Sequence, residues 1–321
     1  MKYSLCFSLL LFLVNPTAHA ADLPGIPQFI DEMVEKHNFD RNELVQTLQL
    51  AEHRPDVIAA ISAPSTSKPW LEYRAAFINS QRITGGVKFW KSYPKALKRA
   101  EKKFGIPQEI IVAVIGVETL YDRQAGRFRT LDALTTLAFD YPRRAEFFRK
   151  ELREYFLLAR EQKFNLLEIK SSYAGAMGIP QFMPSSYRKY ALDFNGNGKV
   201  DLLNEPEDAI GSVANYLKQY GWNKGEPVAL LASLLNENAP LIDGNPHTLA
   251  VWSEAGIKLR DEKNGNIPPA WLLDFTIAQG KEYWLIFNNF RVITLYNNSN
   301  FYAMSVYQLA QALHTARHAK P

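Results

Sequence analysis

The residue best placed to do chemistry is a single glutamate. Glu118 follows an unbroken apolar stretch, residues 110–117, in the run Pro107-Gln108-Glu109-Ile110-Ile111-Val112-Ala113-Val114-Ile115-Gly116-Val117-Glu118-Thr119. Pro107 suits the opening of a helix, where its fixed φ and missing N–H cost nothing, and a helix apolar on every side is buried. A carboxylate at the far end of such a helix is disfavoured by desolvation. The negative end of the helix dipole disfavours it further, by a few tenths to about 1 kcal/mol. A glutamic acid held neutral near pH 7 is the proton donor that glycoside cleavage requires. The competing reading is a helix-terminal Glu118 paired with Arg123 or Arg127. Asp122 and Asp140 are the neighbouring carboxylates from which a second catalytic group would come, which would make the enzyme a hydrolase.

A second pattern concerns a cation. In Asp193-Phe194-Asn195-Gly196-Asn197-Gly198-Lys199-Val200-Asp201, the residues Asp193, Asn195 and Asn197 occupy positions one, three and five of an EF-hand-like loop. Gly198 stands at the sharp turn and Lys199 offers its backbone carbonyl. Position twelve is Asn204 rather than Glu, and the two asparagines leave little negative charge, so calcium affinity is expected to be modest. The alternative is an Asn/Gly-rich turn that binds nothing. His314 and His318, four apart on the last helix, read as a surface pair without a third metal ligand. There is no Gly-rich phosphate loop, no zinc spacing and no Gly-x-Ser-x-Gly elbow.

The elements that position these residues follow from periodicity and punctuation. The chain reads as helical to about residue 220, with helices over Asp40–Leu50, Trp90–Lys103 (ended by Gly105), Thr130–Thr136 and Pro142–Gln162, the last with apolar residues including Phe147, Phe148, Leu152 and Phe156 at helical spacing. Two glycines and two prolines within Ser171–Tyr187 predict a tight irregular segment that carries Gln181 and Met183 to a pocket wall. After Gly225 the runs Val228–Leu231, Ala250–Val251, Tyr283–Ile286 and Val292–Tyr296 favour β structure, and Ala303–Ala316 returns to helix.

Compartment and class follow from the N-terminus and composition. Met1-Lys2, the apolar run Leu5–Val14 and Ala18-His19-Ala20 form a secretory leader cut after Ala20, too short to span a bilayer. The one cysteine, Cys6, lies within it, so the expected mature chain has no disulfide or thiol chemistry. The formal charge of +4 falls to +3 once Lys2 is removed. The basic residues are scattered, which argues against nucleic acid as a partner.

Four segments share one resemblance: Ile115-Gly116-Val117-Glu118-Thr119; Phe139-Asp140-Tyr141-Pro142-Arg143-Arg144-Ala145-Glu146; Ala174-Gly175-Ala176-Met177-Gly178 with Gln181-Phe182-Met183-Pro184-Ser185-Ser186-Tyr187; and Asp208-Ala209-Ile210-Gly211-Ser212-Val213-Ala214-Asn215-Tyr216. In order and spacing the chain resembles the lytic murein transglycosylase B family from about Trp70 to Gly221, and again near Tyr296–Ser299 and Tyr302–Met304. The resemblance implies a mainly helical α+β fold, with a lysozyme-like core, an added helical lobe and a small β-rich lobe. The expected division is leader 1–20, helical region 21–72, catalytic core 73–225, β-rich lobe 226–290 and a C-terminal segment 291–321.

The resemblance makes Glu118 the catalytic residue and lines the glycan groove with Tyr73, Arg143, Arg144, Ser172, Gln181, Phe182, Met183, Tyr216, Tyr296, Asn297 and Tyr302. It also makes Asp208 the residue that closes the calcium loop, and it implies a reaction needing no cofactor beyond this structural Ca2+. The implied activity is cleavage between N-acetylmuramic acid and N-acetylglucosamine, with one glutamate serving as acid and then base and a 1,6-anhydro end as product. Implied partners are peptidoglycan strands in the periplasm, with wall-synthesis proteins beyond them; membrane association is peripheral at most. The rivals are a hydrolysing muramidase on the same fold and a non-catalytic glycan-binding wall protein.

Overall fold

The computed structural model describes residues 23–63, 68–124, 126–235, 244–261 and 267–319. The leader and Cys6 lie outside the described residues. The N-terminal part is helical: α1 (Ile26–His37), α2 (Arg41–Gln49), α3 (Pro55–Ser62), α4 (Trp70–Phe77), α5 (Ser80–Ser92), α6 (Pro94–Phe104) and α7 (Gln108–Thr119). Asp40 caps α2 by accepting the Glu43 N–H at 2.9 Å. The single helix expected over Trp90–Lys103 is two. Tyr93 leaves helical geometry (φ −123°, ψ 44°) and Pro94 opens α6. A proline inside a helix removes a backbone bond and disfavours α geometry in the residue before it. Gly105 ends α6 at φ +76°, as its position predicts.

Two short strands, β1 (Phe128–Arg129) and β2 (Lys170–Ser171), pair antiparallel and bracket a helical hairpin. That hairpin comprises α8 (Thr130–Asp140), a 3-10 turn over Pro142–Arg144, and α9 (Ala145–Gln162). Helix α8 runs four residues past the expected Thr136. The irregular segment then leads to α10 (Pro184–Tyr190), packed on α9, and the Asn/Gly loop leads to α11 (Pro206–Gln219), packed on α6 and α7.

Beyond Gly225 come β3 (Ala229–Leu234), α12 (Leu249–Glu254), β4 (Ile257–Leu259), β5 (Trp271–Ile277) and β6 (Gly280–Ile286), then α13 (Asn288–Tyr296) and α14 (Asn300–His318). The four strands form one antiparallel sheet in the order β4-β3-β6-β5. It has its own apolar cluster of Ala232, Trp252, Ile257, Ala270, Leu272, Leu285 and Phe287. Two expectations of β structure fail here. Ala250–Val251 lie in α12, where Thr248 accepts the Val251 N–H. Val292–Tyr296 form the end of α13, which buries Asn289, Phe290, Val292 and Ile293. That burial spacing is helical, and packing overrides the β preference of Val, Ile and Thr.

The large core centres on α7. Every residue from Ile110 to Val117 is buried, and α14 lies along α7 while also touching α4, α5 and α13. No helix among the described residues is long and apolar enough to cross a membrane.

Candidate active site

Glu118 stands in the last turn of α7, which Leu120 closes in the left-handed region (φ +52°). Tyr121 (φ +61°) and Asp122 (φ +72°) continue the left-handed path, turning the chain sharply away just past the glutamate. Tyr121 holds this turn: its ring lies against Gly85, Gly86 and Gly116, and its hydroxyl donates to the Arg82 carbonyl at 2.9 Å. A Cβ on Gly116 would sit 2.4 Å from that hydroxyl, which is why the residue two before Glu118 has no side chain. Thr119 ties the helix end to the next wall of the site. Its hydroxyl donates to the Ile179 carbonyl at 2.9 Å and accepts the Asp122 N–H at 3.1 Å.

That wall is the segment 171–183. Met177 and Phe182 exchange two backbone hydrogen bonds, at 2.9 and 3.0 Å, and so fold Gly178–Gln181 into a tight turn. Gly178 is left-handed (φ +70°), and a Cβ there would meet the Leu202 carbonyl oxygen at 2.3 Å. Gln181 is also left-handed (φ +50°), and its side-chain amide donates to the Gly178 carbonyl at 2.9 Å. Ser172 Oγ accepts the N–H groups of Ala174 and Ala176, at 3.3 and 3.1 Å, which shapes the other end of the segment.

The resulting groove has a cavity of about 450 Å3 lined by Glu118, Arg144, Phe147, Phe148, Ser172, Tyr173, Ala174, Ala176, Gln181, Met183, Tyr296, Asn297 and Asn298. Glu118 is the one carboxylate among these lining residues. Asp140 instead receives the His53 ring nitrogen at 2.8 Å, and Asp122 does not line the cavity. Glu118 forms no ion pair with Arg123 or Arg127 among the described residues; Arg127 lies over the Phe128 ring, and Arg123 lines a separate surface hollow. Tyr302 is its partner, donating to Glu118 Oε1 at 2.5 Å.

The carboxyl is set deep among side chains, with part of its surface open to the groove. Burial raises its pKa to about 7 against the opposing hydrogen bond from Tyr302. Four tyrosines feel its charge. Tyr73, Tyr216, Tyr296 and Tyr302 all have raised pKa values, in each case first from burial and then in part from the Glu118 anion, so they remain protonated donors.

Of the expected groove residues, Arg144, Ser172, Gln181, Met183, Tyr296 and Asn297 line the cavity with Glu118. Phe182, Tyr216 and Tyr302 are buried behind it: Phe182 packs on Tyr216 (5.5 Å between ring centres) and Tyr296 (5.8 Å). Tyr296 is fixed by donating to the Pro180 carbonyl at 2.5 Å, and Tyr216 by donating to the Leu295 carbonyl at 2.7 Å. Tyr73 packs against Phe77 and Phe301. Arg143 stands exposed on the 3-10 turn and does not line the cavity. Arg144 lies 4.3 Å over the Phe147 ring. Phe147, marked by helical spacing as a core position, is 36% exposed at the groove edge. Tyr173 and Asn298 also line the cavity; they lie in the segments Ser171–Tyr187 and Tyr296–Ser299 but are not among the expected groove residues.

A larger hollow of about 690 Å3 lies beside the groove, lined by Glu32, Glu146, Phe147, Arg149, Lys150 and Arg153. It is walled by charged side chains and does not contain Glu118.

In the candidate calcium loop, Asp193 accepts the N–H groups of Gly196, Asn197 and Gly198. The side-chain oxygens of Asn195 and Asn197 accept the N–H groups of Asn197 and Lys199. These oxygens therefore already fold over the loop's own backbone, an oxygen-donor set of the kind that suits calcium. Asp208 is fully buried on α11 and accepts the N–H groups of Phe194, Asn195 and Asp201. Among the described residues no three His, Asp or Glu converge as a metal cluster. His314 and His318 are exposed, their rings 4.4 Å apart, with His314 3.7 Å from Glu109.

Comparison with known proteins identifies the family and the fold. The chain is 45% identical over 307 residues to the membrane-bound lytic murein transglycosylase B of Escherichia coli K12, covering 92% of this chain and 84% of that one. The structure superposes on E. coli lytic transglycosylase Slt35 in complex with calcium (TM-score 0.86, 44% identity, 93% of this chain and 95% of the other). It also superposes on Pseudomonas aeruginosa SltB3 in complex with NAG-NAM-pentapeptide (TM-score 0.79, 27% identity, 92% of this chain and 82% of the other). The mainly helical fold is thus lysozyme-like, as expected. With residues 22–311 matching its domain, this chain belongs to the transglycosylase SLT-domain family.

Proposed function

We propose that the protein is a lytic transglycosylase of peptidoglycan in which Glu118 is acid and then base. The observation that carries this reading is a lone carboxyl, with its pKa at about 7, on the wall of an open groove lined by no second carboxylate among the described residues. Neutral Glu118 gives its proton to the oxygen between N-acetylmuramic acid and N-acetylglucosamine as the C1–O bond breaks. The substrate's 2-acetamido carbonyl supports the positive charge at C1, in the place a second carboxylate takes in most glycosidases. The Glu118 anion then takes the proton of the same sugar's C6 hydroxyl as its oxygen bonds to C1. The product is a 1,6-anhydro ring, Glu118 is neutral again, and no water is consumed.

Tyr302 supports the anionic half of this cycle, since its hydroxyl donates to the carboxylate. Ser172, Gln181, Asn297 and Arg144 supply the polar positions along the groove, with Met183 and Tyr296 as apolar surface for sugar faces. Digestion of murein sacculi with wild type and Glu118→Gln tests this. Anhydro-ended products from wild type alone are expected. Products heavier by one water would make the enzyme a hydrolase, and sustained turnover by Glu118→Gln would remove Glu118 from its role.

Asp193, Asn195, Asn197 and the Lys199 carbonyl would hold a structural Ca2+, with Asp208 anchoring both ends of the loop from α11. The ion would stiffen the loop and, through α11, the Tyr216 that backs the groove. The leader read from the sequence and the murein substrate support a periplasmic location, where proteins of wall synthesis would be its neighbours.

A further inference from the structure

The charged hollow beside the groove has an orderly origin. Glu146, Arg149, Lys150 and Arg153 are spaced i, i+3, i+4 and i+7 on α9, so they share one face of that helix. The opposite face buries Phe148, Leu152, Tyr155 and Phe156. Glu32 of α1 closes the hollow by receiving Arg153 at 2.7 Å. Among the described residues Arg149 and Lys150 have no such carboxylate partner: both are exposed, and the Arg149 side chain makes only a 3.5 Å bond to the Ala145 carbonyl. The hollow adjoins the catalytic groove, with Phe147 lining both. From Glu146 to Arg153 the helix rises about 10 Å, the length of about three residues of extended peptide.

We propose that this α9 shelf receives the peptide stem carried by the muramic acid unit bound in the groove. The proposal rests on the transglycosylase reading above. A peptide on the lactyl group leaves the sugar sideways, and Phe147 is the ridge it would cross. Its carboxylates meet the two exposed cations Arg149 and Lys150, and an amine of the stem meets Glu146. The relative SltB3 is known in complex with NAG-NAM-pentapeptide, a disaccharide that carries such a stem.

The test compares glycan chains that carry stems with the same chains stripped of peptide by an amidase. For Arg149→Glu/Lys150→Glu, the ratio of kcat/KM on stem-bearing chains to kcat/KM on stripped chains is expected to fall about tenfold, through KM. The wild-type ratio should itself decline as salt is raised, because exposed charges are screened. An unchanged ratio in the variant overturns the proposal. Arg149→Gln/Lys150→Gln serves as the milder variant if charge reversal disturbs folding, with a smaller fall in the ratio expected and no fall overturning the proposal. Failure of the functional reading looks different, since wild type would then yield no anhydro ends from either substrate.

Discussion

Tyr302 and Glu118, 184 residues apart, share a 2.5 Å hydrogen bond in which the phenol donates to the carboxylate. The bond favours the anion, whereas burial of Glu118 favours the acid. The two effects leave the carboxyl near neutrality, where a group that must both give and take a proton is most effective. Tyr302→Phe removes the opposing effect. The alkaline limb of the kcat/KM profile should move up by about one pH unit, the worth of one hydrogen bond to a charge. A uniformly lower profile with an unmoved limb would mean that Tyr302 only supports the fold.

Glu118→Gln should abolish murein cleavage and also stabilise the protein in alkali. The folded-state pKa of Glu118 is raised from the ordinary 4.5 to about 7, so the folded state binds the extra proton between these values. Wild type therefore loses stability as pH rises through that window and regains it as pH falls. The variant should be more stable than wild type by roughly 2–3 kcal/mol at pH 8, with the gap closing at pH 4. Denaturant melts at the two pH values check this, and an equal gap at both would place the cause elsewhere.

Gly178→Ala puts a Cβ 2.3 Å from the backbone oxygen of Leu202, at a φ of +70°. A backbone carbonyl cannot swing aside as a side chain can, so a loss of about 2–4 kcal/mol is expected. Gln181 and Met183 lie on the displaced turn, and activity at temperatures where the variant stays folded should fall as well. Thermal melts and turnover together measure both effects.

Calcium should raise Tm by a few degrees when present well above its Kd, and Asp193→Asn should remove that response. Groove chemistry involves none of the loop residues, so a chelator should lower stability more than turnover at 25 °C. Differential scanning calorimetry with and without EGTA gives the answer; a Tm indifferent to calcium would leave the loop a plain turn.

Much of the molecule is legible in local pattern because its causes are local. An all-apolar run opened by Pro107 and ending in a glutamate states both the burial of α7 and the perturbed acid at its end. Asp40 and Gly105 mark helix ends for reasons contained within a few residues. Where the reading failed, the cause lay elsewhere in the chain. Val292–Tyr296 has β-favouring residues, yet it is helical because its buried positions meet the core at helical spacing. The sequence equally allows Glu118 a pairing with Arg123 or Arg127, but the sharp left-handed turn at 120–122 sends the chain away and the last helix supplies Tyr302 instead. Phe147 and Phe148 look alike in sequence; one is core and the other edges the groove, because only one side of α9 meets α8 and α10. The amino-acid sequence alone determined that a carboxyl would stand at the end of a buried helix. Tertiary structure decided what surrounds it, because partners more than a hundred residues away are chosen by how helices pack, and no local periodicity encodes that packing.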